Sequence, residues 1–257
     1  MSPADPLFWT ALLKIIGVNI VLSGDNAVVI ALAARSLPAK QQKQAIIWGS
    51  AAAIVLRIIL TMFAVALLEL AWLKLIGSVL LLWIGVKLLI PEDEDPNITA
   101  SDNLMVAIRT ILIADLVMSL DNVIAVAAAA GGHWGLMIIG LAISIPLVIF
   151  GATLLVKVME RWPIIITIGA GLLGFVAGEM AWEDKAVHAF TSQHPEMFKY
   201  VAAGVGAAFV VIVGRIFAGR SLESSAEEQM ENLKETEEGV KATDAKDKSF
   251  DNPRRDS

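Results

Sequence analysis

Asn19-Ile-Val-Leu-Ser23-Gly-Asp25-Asn26-Ala-Val-Val-Ile-Ala-Leu-Ala-Ala34 sets a carboxylate, two amides and a hydroxyl inside a run otherwise apolar enough for the core of a bilayer. The same pattern returns from Asp115 to Ala130. At constant offset Val21 matches Val117, Ser23 matches Ser119, Asp25 matches Asp121, Asn26 matches Asn122, and Ala31, Ala33 and Ala34 match Ala127, Ala129 and Ala130. Alanine and valine coincide easily in such a composition, so the weight lies on the shared Ser-x-Asp-Asn and on the polar residue four positions before each serine. These are expensive residues to place in lipid, and their recurrence in register marks an internal repeat.

The rest of the chain fits that setting. Of 257 residues, 56% are hydrophobic, and the mean hydropathy of +0.69 excludes an ordinary soluble domain. Most of the net charge of −6 belongs to the tail and one short acidic loop, so the overall balance says little about partners. There is no cysteine, hence no disulfide framework, thiolate metal site or nucleophilic thiol. Met1-Ser-Pro-Ala-Asp-Pro6 carries no basic region and the first apolar run is too long for a cleaved signal peptide, so it reads as a retained span.

A spanning helix needs about 20 predominantly apolar residues. Seven segments qualify: 8–34, 44–68, 72–90, 104–130, 134–157, 163–182 and 200–218. The expected fold is an all-α polytopic membrane protein, its transporter domain covering 1–220. Basic residues near span ends mark the cytoplasmic side. With the N-terminus outside, Arg35, Lys40, Lys43, Lys87, Arg109, Lys157, Arg161, Arg215 and Arg220 fall inside, against Lys14, Lys74, Lys185 and Lys199 outside. That bias puts the C-terminus in the cytoplasm.

Three spans separate the starts of the two copies, so the first and fourth helices run in opposite directions and the repeat is inverted. Ile76-Gly77 and Leu80-Leu81 of the third span resemble Ile168-Gly169 and Leu172-Leu173 of the sixth, which extends the match to halves at about 8–90 and 104–182, with 200–218 added. Inverted repeats place a substrate site near the midplane where the halves meet.

On a helix, Asn19, Ser23 and Asn26 share a face, as do Asp115, Ser119 and Asn122, with Asp25 and Asp121 one step round. Gly24 could let the first helix unwind, whereas the second copy has Leu120 at that place. Serine and asparagine alone could be interhelical glue. A buried carboxylate without a cation costs several kcal/mol or takes a proton, so Asp25, Asp121 and Asp115 read as a site. Carboxylate, amide and hydroxyl oxygens suit hard cations such as Mg, Ca and Mn. Arg57, near the middle of the second span, calls for one of the aspartates as its partner. Glu179, late in the sixth span, reads as an outer-side supporting ligand.

The remaining polar stretches carry less. His188 and His194 with Glu183, Asp184 and Glu196 read more simply as a solvated loop than as a cation vestibule, and so does the run Glu92-Asp-Glu-Asp95 between Pro91 and Pro96. The segment 221–257 is highly charged and almost free of aromatic residues, which predicts a disordered cytoplasmic appendage with at most a short helix around Glu223 to Glu238.

Ser23-Gly-Asp25-Asn26-Ala-Val-Val-Ile-Ala and Asp115-Leu-Val-Met-Ser-Leu-Asp121-Asn122-Val resemble the paired signatures of the TerC family of bacterial membrane proteins, in its short form without appended soluble domains. The resemblance implies a bacterial inner (plasma) membrane protein that exports Mn(II), with Asp25, Asn26, Asp121 and Asn122 lining the metal site and Asn19 and Asp115 supporting them. Ser23, Ser119, Arg57 and Glu179 complete the set. The metal is cargo, exchanged for protons, and no prosthetic group is expected. The partners are then the lipid bilayer, a divalent cation and protons; no nucleic acid is expected, and the reading is compatible with an oligomer. An enzyme would need an activated nucleophile or His-rich site in the membrane, and no phosphate-binding Gly-Lys-Ser/Thr loop points to ATP-driven pumping. The alternative is a non-transporting membrane factor in tellurite or metal stress, or in membrane-protein assembly.

Overall fold

The computed structural model describes residues 6–21, 23–63, 67, 70–90, 100–130 and 133–250; within these, side chains are left out at several positions, Asp121 and most of 222–250 among them. The acidic run 92–95 lies outside the described residues. Among the described residues the structure is all-helical: α1 (Pro6–Val21), α2 (Gly24–Ala34), α3 (Ala39–Met62), α4 (Leu73–Lys87), α5 (Ala100–Ala130), α6 (Trp134–Arg161), α7 (Ile164–Glu183), α8 (His188–Thr191) and α9 (Met197–Phe250).

Among the described residues five helices are long and apolar enough to cross a membrane, six if α1 and α2, bent by 47° at their junction, count as one span. The bend falls at Ser23-Gly24, a pair of residues at which helices commonly kink. The segment expected as the third span gives α4, with 15 residues, so its helical part is about 22 Å long, short of the roughly 30 Å hydrocarbon core. Its first residue follows Trp72, which has a φ of 74°. The other boundaries shift for local reasons. Pro38 precedes α3 and forces an early start through the polar helix formers Lys40 to Gln44. Trp162-Pro163 ends α6 and opens α7, and Pro146 sits inside α6.

The last helix differs most from expectation. The span and the residues after it form one helix of 54 residues to Phe250, so 221–250 is helical where a disordered tail is expected. The sequence supplies a reason: the segment is rich in Glu, Lys and Ala, residues of high helix propensity.

The distribution of apolar groups is that of a protein in lipid. The core holds Ile15, Leu32, Ile46, Leu81, Ile111, Leu141 and Leu173, while Leu13, Trp48, Ile76, Phe150, Ile168 and Val205 face outward. Six of the seven tryptophans, at 9, 48, 72, 83, 134 and 162, are at least half exposed, as suits the amphipathic belts where lipid meets water. Helices α7 and α9 make the most intimate contact. A Cβ placed on Gly174 would stand 2.3 Å from the Gly206 carbonyl oxygen, and one on Gly178 would stand 2.2 Å from that of Ala202. The small residues let the two backbones touch, which is how helices gain packing energy where the hydrophobic effect no longer drives association.

Candidate functional site: an arginine held by both copies of the repeat

Helix α3 carries Arg57 into the middle of the bundle, where 3% of its surface remains accessible. A bare guanidinium there would be costly, and its cost is offset by oxygen acceptors from two other helices. Arg57 Nε donates to Ser119 Oγ at 3.0 Å, Nη1 donates to Asn19 Oδ1 at 3.1 Å and to Ser23 Oγ at 3.2 Å, and Nη2 donates to Asp115 Oδ1 at 2.5 Å. The last contact is also an ion pair. Ser119 Oγ donates in turn to Asp115 Oδ2 at 3.2 Å.

The four acceptors are two matched pairs. Asn19 and Asp115 are the polar residues four before each serine, and Ser23 and Ser119 are the serines. The copies therefore meet at one place, and the partner of Arg57 is Asp115 rather than Asp25. Thr61 Oγ1 donates to the Arg57 carbonyl at 2.7 Å, a back-bond that ties the next turn of α3 to the same point.

Beside Arg57 lies a cavity of about 10 Å³ lined by Asn19, Ser23, Asn26, Ser50, Arg57 and Asp115, with Ile30, Ala53, Ile54 and Val148 as its apolar walls. That is room for about one water. Asp25 stands in the first turn of α2, partly buried, where its Oδ1 accepts from the Asn26 backbone N–H at 2.8 Å. A carboxylate there also meets the positive end of the helix dipole. It is near enough to Arg57 and Asp115 to interact electrostatically with both. Asn122 is buried on α5, and the Asp121 side chain lies outside the described residues. Among the described residues no three His, Cys, Asp or Glu side chains cluster as a metal site. The donors available to an ion are instead amide, hydroxyl and isolated carboxylate oxygens, which fit a hard cation.

The outer-end residues have other partners. Glu179 is ion-paired with Lys199 at 3.6 Å, and Glu183 bonds both Lys74, at 3.0 Å, and Lys199. Asp184, 1% exposed, is a helix cap: its Oδ1 accepts from the Trp72 and Ala186 N–H groups and its Oδ2 from that of Leu75, at the start of α4. Burial opposes its ionisation, but the N–H donors of Ala186, Leu75, Trp72 and Lys74 outweigh it and hold the carboxyl below its ordinary value. His194 packs among Phe190, Trp182 and Phe198. Glu179, Glu183 and Asp184 are thus taken up by lysines and backbone.

Two residues escape the sequence reading. Asp184 caps a helix more than a hundred positions away in the chain, which spacing cannot reveal. Ser50 is one more small residue in an apolar run, and only its neighbours distinguish it.

A family model described as the integral membrane protein TerC family matches residues 4–222. This chain belongs to that family. Among TerC family relatives, the uncharacterized membrane protein YjbE of Bacillus subtilis (strain 168) is 48% identical over 187 residues, covering 73% of this chain and 86% of YjbE. The uncharacterized membrane protein YkoY of the same strain is 26% identical, covering 86% and 76%. The inner membrane protein YgdQ of Escherichia coli (strain K12) is 26% identical, covering 72% and 85%. No solved structure matches this TerC family chain. Its membership and its apolar helices make it an integral membrane protein.

Proposed function

We propose that this TerC family chain is a secondary transporter that moves a divalent cation, Mn(II) above all, out of the cytoplasm in exchange for protons. The observation that carries the reading is that one buried cation, Arg57, is held by matched residues of both repeat copies. Oxygens that cradle a guanidinium between two halves are also the donors a hard metal ion takes, and in an inverted repeat that meeting point is where substrates bind.

On this reading α1 with α2, α3 and α4 form one half, α5, α6 and α7 the inverted other half, and α9 the seventh span. The N-terminus is outside and the C-terminus cytoplasmic. The tethered guanidinium and the free metal ion compete for the same oxygens. With Arg57 on Asp115 the path carries its own counter-ion and the carboxylate is not left bare; an arriving divalent cation takes Asp115 from it. Asp25, Asn26, Asp121 and Asn122 complete the ion's coordination, with Asn19, Ser23 and Ser119 supporting and Glu179 serving the outer end. Asp25 and Asp121 each take a proton as the metal leaves, one divalent cation for two protons. This is translocation, with no bond made or broken in the substrate.

The test is uptake by the purified chain in liposomes, with Mn, Ca, Mg, Zn and Co in competition and a pH-sensitive dye in the lumen. Mn(II) should move unaided and drive protons the opposite way. If folded protein moves none of these ions, the transport reading fails and the non-transporting membrane factor takes its place.

A further inference from the structure

Five hydroxyl groups inside these helices follow a rule. Thr61, Thr110, Ser144 and Thr153 each donate to the carbonyl four residues back, and Ser78 donates to the one three back. This back-bond is how a hydroxyl in an apolar helix is ordinarily satisfied. Ser50 breaks the rule. It is 1% exposed, its Oγ makes no hydrogen bond, and it lines the cavity beside Arg57. Leaving a buried hydroxyl unmade costs on the order of 1 to 3 kcal/mol, and the back-bond that would relieve it lies within its own helix.

Its position is informative. Ser50 is two turns before Arg57 on α3, so about 10 Å nearer the α2–α3 connection. Helix α2 runs antiparallel to α3 through that connection, which puts Asn26 and Ile30, also in the cavity wall, displaced the same way from Ser23. The cavity therefore extends from the guanidinium toward the α2–α3 connection, with Asn26 and Ser50 as its polar groups beyond the arginine. The donors of Arg57 are taken up by Asn19, Ser23, Asp115 and Ser119, the first three of which share the cavity wall with Ser50.

We propose that Ser50 Oγ is a direct oxygen ligand of the transported cation, at a position that the ion occupies beside Arg57 with Asn26 and Asp115 as its neighbours. The inference rests on the transport reading for the identity of the ion. Binding by protein oxygens replaces water on the ion, and Mg(II) sheds water reluctantly, so a hydroxyl and an amide as ligands favour Mn(II) or Ca(II) over Mg(II).

The chain contains no cysteine, so Ser50→Cys puts a single thiol at the point in question with little change of volume. A sulfur ligand prefers soft metals and must lose its proton to bind one. Purified, folded Ser50→Cys protein should therefore develop a Cd(II)–thiolate charge-transfer absorption at one equivalent of Cd(II), absent from the wild type. In liposomes the same variant should gain Cd(II) inhibition of Mn(II) transport, and Ser50→Ala should raise KM for Mn(II) about tenfold, the scale on which single groups around a metal act. A hydroxyl that merely holds a water would move none of these readouts. Failure of the absorption to appear in folded Ser50→Cys, or an unchanged KM for Mn(II) in Ser50→Ala, overturns the assignment even if the wild type transports. The absorption in a protein that moves no metal keeps Ser50 as a ligand and removes the transport reading alone.

Discussion

The two copies of the signature share their side chains and differ in their backbones. In the first, one helix ends at Val21 and another, α2, begins at Gly24, so that Asp25 stands in the first turn of a new helix. In the second, α5 runs through all 31 residues from Ala100 to Ala130, and Asp121 lies in mid-helix with no free helix end beside it. The copies also differ at the position that meets Arg57, an amide at Asn19 and a carboxylate at Asp115. One copy places its carboxylate on a helix end, the other pairs a carboxylate with Arg57 from a continuous helix. A repeat duplicated in sequence has become unequal in structure: α5 holds Arg57 while the broken helix keeps Asp25 on a helix end.

The largest test of this inequality sets Asp115→Ala against Asn19→Ala. Removing the carboxylate leaves a buried guanidinium uncompensated, which costs about 3 to 5 kcal/mol, whereas removing the amide loses one hydrogen bond to a charged group, about 1.5 to 3 kcal/mol. Thermal melting in detergent should rank them in that order, and equal losses would mean that the two copies hold Arg57 equally. Replacing the pair together, Arg57→Met with Asp115→Leu, should recover much of the stability and none of the transport.

Next come Asp25→Asn and Asp121→Asn. On the proposed transport reading each removes one charge partner of the ion, worth about 2 to 5 kcal/mol, so Mn(II) uptake should fall roughly 30-fold or more with expression and insertion intact. The double variant should be no worse than either single one. Additive partial losses would instead describe two independent sites in series, and normal uptake by both would remove the shared site.

A charge outside the repeat gives the contrast. Asp184→Asn should lose about 0.5 to 2 kcal/mol, the scale of a helix cap, and leave Mn(II) affinity unchanged. Because the folded Asp184 carboxyl sits below its ordinary value of 3.8, its contribution is complete above that value and is lost as pH falls through the folded one. Melting of the wild type should weaken over that acid range more steeply than melting of Asp184→Asn.

The smallest expected effect is at the break itself. A Cβ on Gly24 meets nothing within 4 Å, so Gly24→Ala should leave stability unchanged or raise it by up to about 1 kcal/mol while slowing transport. Unaltered transport would show that the bend does no work in the cycle.

Much of this arrangement was legible in the sequence because membranes make polar groups conspicuous. Asn19, Ser23, Asp115 and Ser119 stood out as costly residues in register, and Arg57 as a charge at mid-span. The choice of Asp115 over Asp25 as its partner was not legible, since it depends on how α3 rotates between α1 and α5. Helix positions followed from hydropathy to within a few residues for α5, α6 and α7, but hydropathy marks where lipid ends, and α9 continues as a helix far beyond that point. Ser50 was invisible because serine in an apolar helix normally bonds its own backbone, and only the fold shows that this one does not.

The glycine contact between α7 and α9 has a mechanical side. Backbones in direct touch at Gly174, Gly178 and Gly206 leave no side-chain cushion that could shear, so the two helices tilt as one stiff strut. Residues 222–250 prolong that strut by about 44 Å past the span. Whatever angle α7 adopts is therefore written, magnified like the end of a pointer, in the displacement of Phe250.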